Sequence, residues 1–343
     1  MRRPHTQISD LLLAWYRNGH RDLPWRRTVD PYRIWVSEIM LQQTRAQAVI
    51  PYYERFLERF PTVEALARSA EEDVLTLWSG LGYYSRARNL RQAARQIVES
   101  GAFPRDFEAI RALPGIGDYT AAAIASMAFE LPHAVLDGNV LRVVARVEND
   151  AADIASPLTR TRFRTIAQSW LDERHPGQFN QALMELGATV CLPRNPLCLV
   201  CPLAEHCRAR EVGTAAQLPV KLRKTAPVQI EGVLLIVRRN GRVLLRQRPA
   251  EARRMAGFWD LPAPEEVPGV RVGRSFGEIR HTITHHHYTF AVASGSGVRT
   301  AEPPFRWFEP AQCVDIPLST TARKALVLAG LLVARINDNS QRA

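Results

Sequence analysis

From residue 8 to about 210, apolar residues recur three or four positions apart, the spacing that lays one apolar stripe along a helix. "VIPYYERFLERF", "AEEDVLTLWSG", "YSRARNLRQAARQIVESG", "DFEAIRAL", "NVLRVVARVEN", "RTRFRTIAQSWLDER" and "QFNQALMELGATVC" carry this spacing. "MRRPHTQISDLLLAWYRNG" reads as an amphipathic helix after a Ser9 cap, and Asp30-Pro31 as a cap followed by a first-turn proline. Gly80 and Gly101 are expected helix stops. No strand pattern precedes residue 228, and "EVGTAAQLPVKLRKTAP" reads as a linker. The character then changes. "QIEGVLLIVRRNGRVLLRQRP" is strand, Asn240-Gly241 turn, strand. "GEIRHTITHHHYTFAVASG" and "FRWFEP" continue in that style, and "LSTTARKALVLAGLLVARI" closes as a helix with Ser319 near its cap. The pattern predicts an all-α part followed by an α+β part.

A chain of 343 residues is long enough for two or three domains, each with its own core. No apolar run reaches the roughly 18 residues of a membrane span. The N-terminus has arginines but no long apolar core or small-residue cleavage site, so it does not read as an export signal. The net charge is +11, and the parts before and after residue 230 are both basic. A polyanionic partner suits each part, although charge alone serves solubility equally well. The cations are nearly all arginine; the lysines are Lys221, Lys224 and Lys324.

Cys191, Cys198, Cys201 and Cys207 crowd into "CLPRNPLCLVCPLAEHC", with the spacing C-x6-C-x2-C-x5-C. Such a cluster in one long chain reads as a metal site rather than a disulfide framework. Zinc and a four-iron cluster are both open, and a single x2 pair suits the cluster better. Cys313 stands apart and reads as a small buried hydrophobe.

"ALPGIGDYTAAAIASMA" reads as helix, tight turn, helix. Gly115 and Gly117 let the backbone turn and expose N–H groups, which makes a phosphate seat or an ordinary helical hairpin. In "LPHAVLDGNVLRVVARV", Asp137 stands at the mouth of a helix beginning near Asn139. It is either an ordinary cap or a carboxylate held ionised, with its pKa pulled down. In "RIWVSEIMLQQT", Glu38 lies among Ile34, Trp35, Val36, Ile39, Met40 and Leu41. A carboxyl group on such a face loses hydration and its pKa rises. Two carboxyls driven apart in acidity suit cleavage of a glycosidic C–N bond. One protonates the leaving base and the other faces an oxocarbenium-like sugar.

"PWRRTVDPYRIWVSEIMLQQT", "GLGYYSRARNL", "LPGIGDYTAAAIAS", "LDGNVLRV" and the four-cysteine loop together resemble the MutY family of adenine DNA glycosylases, within the helix-hairpin-helix superfamily of endonuclease III. The resemblance implies a [4Fe-4S] cluster on Cys191, Cys198, Cys201 and Cys207. It implies excision of adenine mispaired with 8-oxoguanine or guanine in double-stranded DNA. Glu38 resembles the family's general acid, and Asp137 the carboxylate that stabilises the sugar cation. Asn139 and Tyr119 match residues around that cation, and Arg26 a contact to the flipped adenine. Gln43, Thr44, Leu81 and Tyr83 match residues that enter the duplex, with Gln43 and Tyr83 as the wedge; core packing is the plainer reading of Leu81 and Tyr83. A lyase of the superfamily carries a Schiff-base lysine two residues after the second hairpin glycine. Here that position is Tyr119, and no lysine precedes residue 221.

The C-terminal part resembles the MutT-like (Nudix-fold) domain of the family. "GFWDLP" resembles the strand entering a Nudix box, but "VPGVRVGRSFGE" follows Glu265-Glu266 where an acidic magnesium-binding helix would be needed. A binding domain without its own chemistry is expected. "TITHHH" aligns with the family's 8-oxoguanine-reading loop, with Thr284 and His285 in the reading positions. The expected organisation is a multidomain chain. Residues 1–28 and 138–212 form the iron–sulfur helical domain, 29–137 a six-helix barrel with the hairpin, 213–229 a linker, and 230–335 the MutT-like domain. A monomeric, cytoplasmic, nucleoid-associated monofunctional glycosylase without membrane contact is expected. An endonuclease III-like lyase, a Nudix pyrophosphohydrolase and a non-enzymatic DNA-binding iron–sulfur protein are the competing readings.

Overall fold

The computed structural model describes residues 4–222, 226–249, 251–252, 255–283, 285–298 and 301–333. Two compact units emerge, one of residues 1–67 with 92–224, the other of 68–91 with 225–343.

The helices run α1 (Pro4–Gly19), α2 (Pro31–Leu41), α3 (Ala46–Arg59), α4 (Val63–Arg68), α5 (Glu71–Trp78), α6 (Ser85–Ser100), α7 (Phe107–Arg111), α8 (Asp118–Phe129), α9 (Gly138–Val147), α10 (Pro157–Trp170), α11 (Pro176–Thr189) and α12 (Arg208–Val212). The apolar faces read from the sequence are the buried ones. Asp30 caps α2 as expected, accepting from the N–H of Tyr32 at 2.8 Å and of Arg33 at 3.4 Å. α1 differs from expectation. It starts at Pro4, so Ser9 lies inside the helix and is buried. A proline in the first turn costs no hydrogen bond, so the helix extends one turn beyond the apolar stripe. In the first unit α2 packs on α8, and α11 packs on α1, α8 and α9. These contacts gather the C-terminal half of α2 and the N-termini of α8 and α9 around α11.

In the second unit the chain forms β1 (Val228–Arg239), β2 (Arg242–Gln247), β3 (Trp259–Asp260), β4 (Arg271–Ile283), β5 (His286–Ser296) and β6 (Phe305–Phe308), then α13 (Thr320–Leu328). The strand order is β3-β2-β1-β5-β4, with β6 also on β2. β1 and β5 run parallel and the other pairs antiparallel. Asn240 and Gly241 take φ of 49° and 80°, the left-handed pair that the two-residue hairpin turn requires. Strand alternation splits β1 cleanly. Leu234 and Ile236 join Trp259, Val292 and the α13 residues Ala322, Ala325 and Leu326, while Leu235 and Val237 join Leu244 and Ala293 on the other face. Ser319 caps α13, accepting from the N–H of Ala322 at 2.9 Å. After a single 3-10 turn at Pro264–Glu266 and the short turn segment 267–270 the chain enters β4. The same unit contains residues 68–91, where the Ser79 hydroxyl donates to the Leu318 carbonyl at 3.2 Å and the Tyr84 ring lies 4.0 Å from that of Phe258.

Candidate active site and cluster loop

Glu38 projects from the buried face of α2 and is 4% exposed. The Tyr119 hydroxyl, from the first turn of α8, donates to Glu38 Oε2 at 2.7 Å and lies 3.3 Å from Met184 Sδ of α11. Burial pushes Glu38 up from 4.5 to about 7, as the sequence predicts. The Tyr119 hydrogen bond and the charge of Arg26 act downward, and the charge of Asp137 acts upward. Glu38 and Asp137 are thus within electrostatic reach of each other. Both also act on the Tyr119 hydroxyl, raising its pKa on top of burial.

Asp137 is the N-cap of α9. Its Oδ1 accepts from the Val140 N–H at 2.7 Å and its Oδ2 from Asn139 Nδ2 at 3.0 Å. One expectation fails here: its pKa is raised, not lowered, because burial outweighs these donors and the nearby charge of Arg142. A helix N-terminus favours the anion by about 1 kcal/mol, which is less than the cost of stripping water from a carboxylate. The charge of Asp137 is one reason Glu38 is lifted, while Asp137 itself keeps donors from Val140 and Asn139 that favour its anion. Tyr119, Asp137 and Asn139 are half-buried while Glu38 is buried.

Arg26, 9% exposed at its side chain, is held by Glu185 Oε2 at 2.7 Å and by the Arg21 carbonyl at 3.0 Å. Its guanidinium lies over the Tyr16 ring at 5.5 Å. Glu185 also accepts from Arg21, with Oε2 at 2.6 Å from Nη2. Burial pushes the Glu185 pKa up, but hydrogen bonds from Arg21 and Arg26 overcome it and hold it at about 2. Glu185, Met184 and Tyr16 escape sequence reasoning. The signal that singles out Glu38, an acid in an apolar helix, is present again in "ALMELGA" and finds Glu185.

The other sequence-predicted residues divide. Gln43 is exposed with φ 58° and Tyr83 is 38% exposed with φ 48°. Both adopt a left-handed backbone that costs a non-glycine residue about 1 kcal/mol or more. Thr44 is half-buried, its hydroxyl on the Gln42 carbonyl at 3.4 Å. Leu81 is 7% exposed. At the hairpin Gly115 takes φ 77°, while Gly117 is extended and precedes α8. Asp118 there pairs with Arg111 at 2.7 Å and with Arg164 of α10 at 2.9 Å, and Arg111 also pairs with Glu108 at 3.3 Å. His285 is half-buried at the β4–β5 turn, its ring centroid 4.1 Å from that of His286 and tilted 44° to it. Thr284 lies outside the described residues.

Cys191, Cys198, Cys201 and Cys207 line one cavity with Arg146, Leu197 and Ala204. No three His, Cys, Asp or Glu side chains among the described residues close on a single ion. A polynuclear cluster spreads its thiolates, one per iron, around such a cavity, whereas zinc draws them to one point. Buried Arg146 donates toward Cys191 Sγ at 3.3 Å and to the Leu192 carbonyl at 2.7 Å, which suits anionic sulfur. Arg142 joins loop to site. Its Nε donates to the Cys191 carbonyl at 2.7 Å, and its Nη2 to Asn139 Oδ1 at 2.8 Å and the Gly187 carbonyl at 2.7 Å.

Comparison with known proteins follows this division. Residues 36–168 match the HhH-GPD superfamily of base excision DNA repair proteins, 191–207 the iron–sulfur binding domain of endonuclease III, and 232–328 the NUDIX domain. The chain is 36% identical to the adenine DNA glycosylase of Mus musculus, over 93% of this chain and 77% of that one. Against the Homo sapiens adenine DNA glycosylase the values are 34%, 93% and 73%. Against that of Mycolicibacterium smegmatis they are 41%, 67% and 79%. A thermostable thymine-DNA glycosylase superposes with a TM-score of 0.56 at 28% identity, over 61% of this chain and 97% of that chain. Endonuclease III in a non-covalent DNA complex shares the fold, with a TM-score of 0.51 at 21% identity over 60% and 94%. Among the described residues no helix is long and apolar enough to cross a membrane.

Proposed function

The chain belongs to the adenine DNA glycosylase family of the helix-hairpin-helix superfamily, and we propose that it is a monofunctional glycosylase for adenine mispaired with 8-oxoguanine or guanine. It is an enzyme of base excision repair that hydrolyses the bond between adenine and deoxyribose, and it carries an iron–sulfur cluster. The observation that carries the mechanism is the Tyr119–Glu38 hydrogen bond, within electrostatic reach of Asp137 at the mouth of α9.

Tyr119 occupies Glu38 Oε2, so the proton to be delivered sits on Oε1. Glu38 gives that proton to N7 of an extruded adenine. The C1′–N9 bond breaks and its electron pair leaves with the neutral base. Asp137, ionised and fixed by Asn139 and Val140, faces the oxocarbenium ion at C1′. Glu38, now a carboxylate, takes a proton from water as the oxygen adds at C1′, leaving an abasic site and free adenine. Arg26, with Glu185, offers polar edges for the base. Gln43, Thr44, Leu81 and Tyr83 serve the duplex, with Gln43 and Tyr83 filling the gap that adenine leaves. Gly115 and Gly117 with Arg111 seat a phosphate. Cys191, Cys198, Cys201 and Cys207 hold the [4Fe-4S] cluster, which keeps the basic loop around Arg194 in shape. The β4–β5 turn with Thr284 and His285 reads 8-oxoguanine. We divide the chain as the sequence predicts, at 1–28 with 138–212, 29–137, 213–229 and 230–335, and take it to act as a monomer on DNA in the cytoplasm.

The test incubates the protein with A:8-oxoguanine, A:G and A:T duplexes, followed by alkali. Strand breaks in the first two after alkali alone, with no borohydride-trapped protein–DNA adduct, are expected. Breaks without alkali, or equal breakage of A:T, contradict the reading.

A further inference from the structure

The loop joining α5 to α6 is bent hard. Gly80, Gly82 and Tyr83 take φ of 109°, 72° and 48°. Glycine accepts such angles freely, but tyrosine does so only when its surroundings hold it. Arg86, in the first turn of α6, does much of the holding. Its Nη2 donates to the Leu81 carbonyl at 3.2 Å and the Gly82 carbonyl at 3.1 Å, and its backbone N–H donates to the Tyr83 carbonyl at 2.9 Å. Its guanidinium carbon lies 5.5 Å from the ring centroids of both Trp78 and Tyr83. Trp78 is fully buried, and its Nε1 donates to the same Gly82 carbonyl at 3.2 Å. Arg86 therefore has one buried aromatic neighbour, Trp78, and one that is 38% exposed, Tyr83. Burial pushes the Arg86 pKa down to about 10, which leaves it charged at neutral pH.

We propose that Arg86 is a positioning residue that presets Tyr83 for entry into the duplex. The inference rests on the reading of Tyr83 as a wedge. A wedge already ordered need not lose backbone and rotamer freedom when it enters the base stack. That saving falls on extrusion of adenine and not on the glycosidic bond. Arginine suits the position because its Nη2 bonds two carbonyls while its flat guanidinium lies near two rings. A lysine ammonium keeps the charge but has no flat face for the rings, so it cannot do both together.

The experiment uses the full chain and an A:G duplex with 2-aminopurine beside the target adenine. The fluorescence rise reports extrusion, and alkali-revealed breaks under single turnover report base release. Arg86→Lys is expected to slow extrusion about tenfold, the value of losing charge-assisted hydrogen bonds. Tyr83→Ala is expected to slow it similarly, and the double variant no further. The pH at which release falls off should stay at its wild-type value, a readout that general damage to the helical unit would move. Arg86→Met, which keeps the stem without donors, serves if Arg86→Lys folds poorly. Wild-type extrusion by both arginine variants, with Tyr83→Ala slow, overturns the inference. So does a double variant whose losses multiply. Wild-type extrusion by Tyr83→Ala sinks the wedge reading itself, with or without an effect at Arg86.

Discussion

Glu38 keeps its proton to about pH 7 because α2 buries it, and Tyr119 holds it back from rising further. Two predictions follow at this scale. Tyr119→Phe removes a hydrogen bond that favours the ionised carboxylate, so Glu38 should titrate higher. The alkaline limb of the single-turnover rate should move up by a few tenths to about one pH unit. A limb that stays or moves down counts against Glu38 as the acid. Stability tests the same group independently. The folded pKa of Glu38, about 7, exceeds its ordinary 4.5, so its favourable contribution is complete below 4.5 and is lost as pH rises through 7. Glu38→Gln, which imitates the protonated form, should stabilise the chain above pH 7 by on the order of 3 kcal/mol, and not at all below pH 4.5. Denaturant unfolding at the two pH values measures it. Glu38 is legible because an acid among six apolar neighbours on a helix has one physical consequence. Asp137 is only half legible: the sequence reveals the cap, but not the burial that reverses the direction of its pKa.

At the scale of elements, α11 organises the site. It brings Met184 to Tyr119, Glu185 to Arg26, and Gly187 against Asn139. Asn180, fully buried, accepts from the Val135 N–H at 3.1 Å and donates to the His133 carbonyl at 2.8 Å, pinning the segment that ends in Asp137. A Cβ at Gly187 would stand 2.6 Å from Asn139 Cβ. Gly187→Ala should therefore separate α9 from α11, costing about 1–3 kcal/mol. It should also slow base release more than DNA binding, because Asn139 holds Asp137. Unfolding curves with single-turnover rates check both parts. The sequence shows α11 as a helix with an apolar face but not what covers that face, since periodicity is local and packing partners are distant. Turns with one chemical solution fare better. Asn240-Gly241 and the Ser319 cap stand where the sequence puts them, whereas the Ser9 cap does not, because Pro4 provides an equally good start upstream.

Across the whole molecule, the basic helical core, the cluster loop and the Nudix-fold sheet appear in sequence as a change of period plus four clustered cysteines. The grouping of residues 68–91 with 225–343 does not, since it rests on contacts such as Tyr84 with Phe258 far along the chain. If the β4–β5 turn reads the opposite base, His285→Ala should lower the preference for A:8-oxoguanine over A:G about tenfold, the value of one good hydrogen bond. Turnover of A:G should be unchanged; an equal loss on both duplexes would assign His285 to folding instead. Every step nevertheless depends on a proton-bearing Glu38 and an anionic Asp137 acting on one nucleoside. The direct measurement is single-turnover adenine release from an A:8-oxoguanine duplex by Glu38→Gln and Asp137→Asn, with affinity measured on the same DNA. Each variant should bind within a few-fold of wild type and lose about 10²-fold or more in release rate. A bound variant of either kind that frees adenine at the wild-type rate would contradict the account.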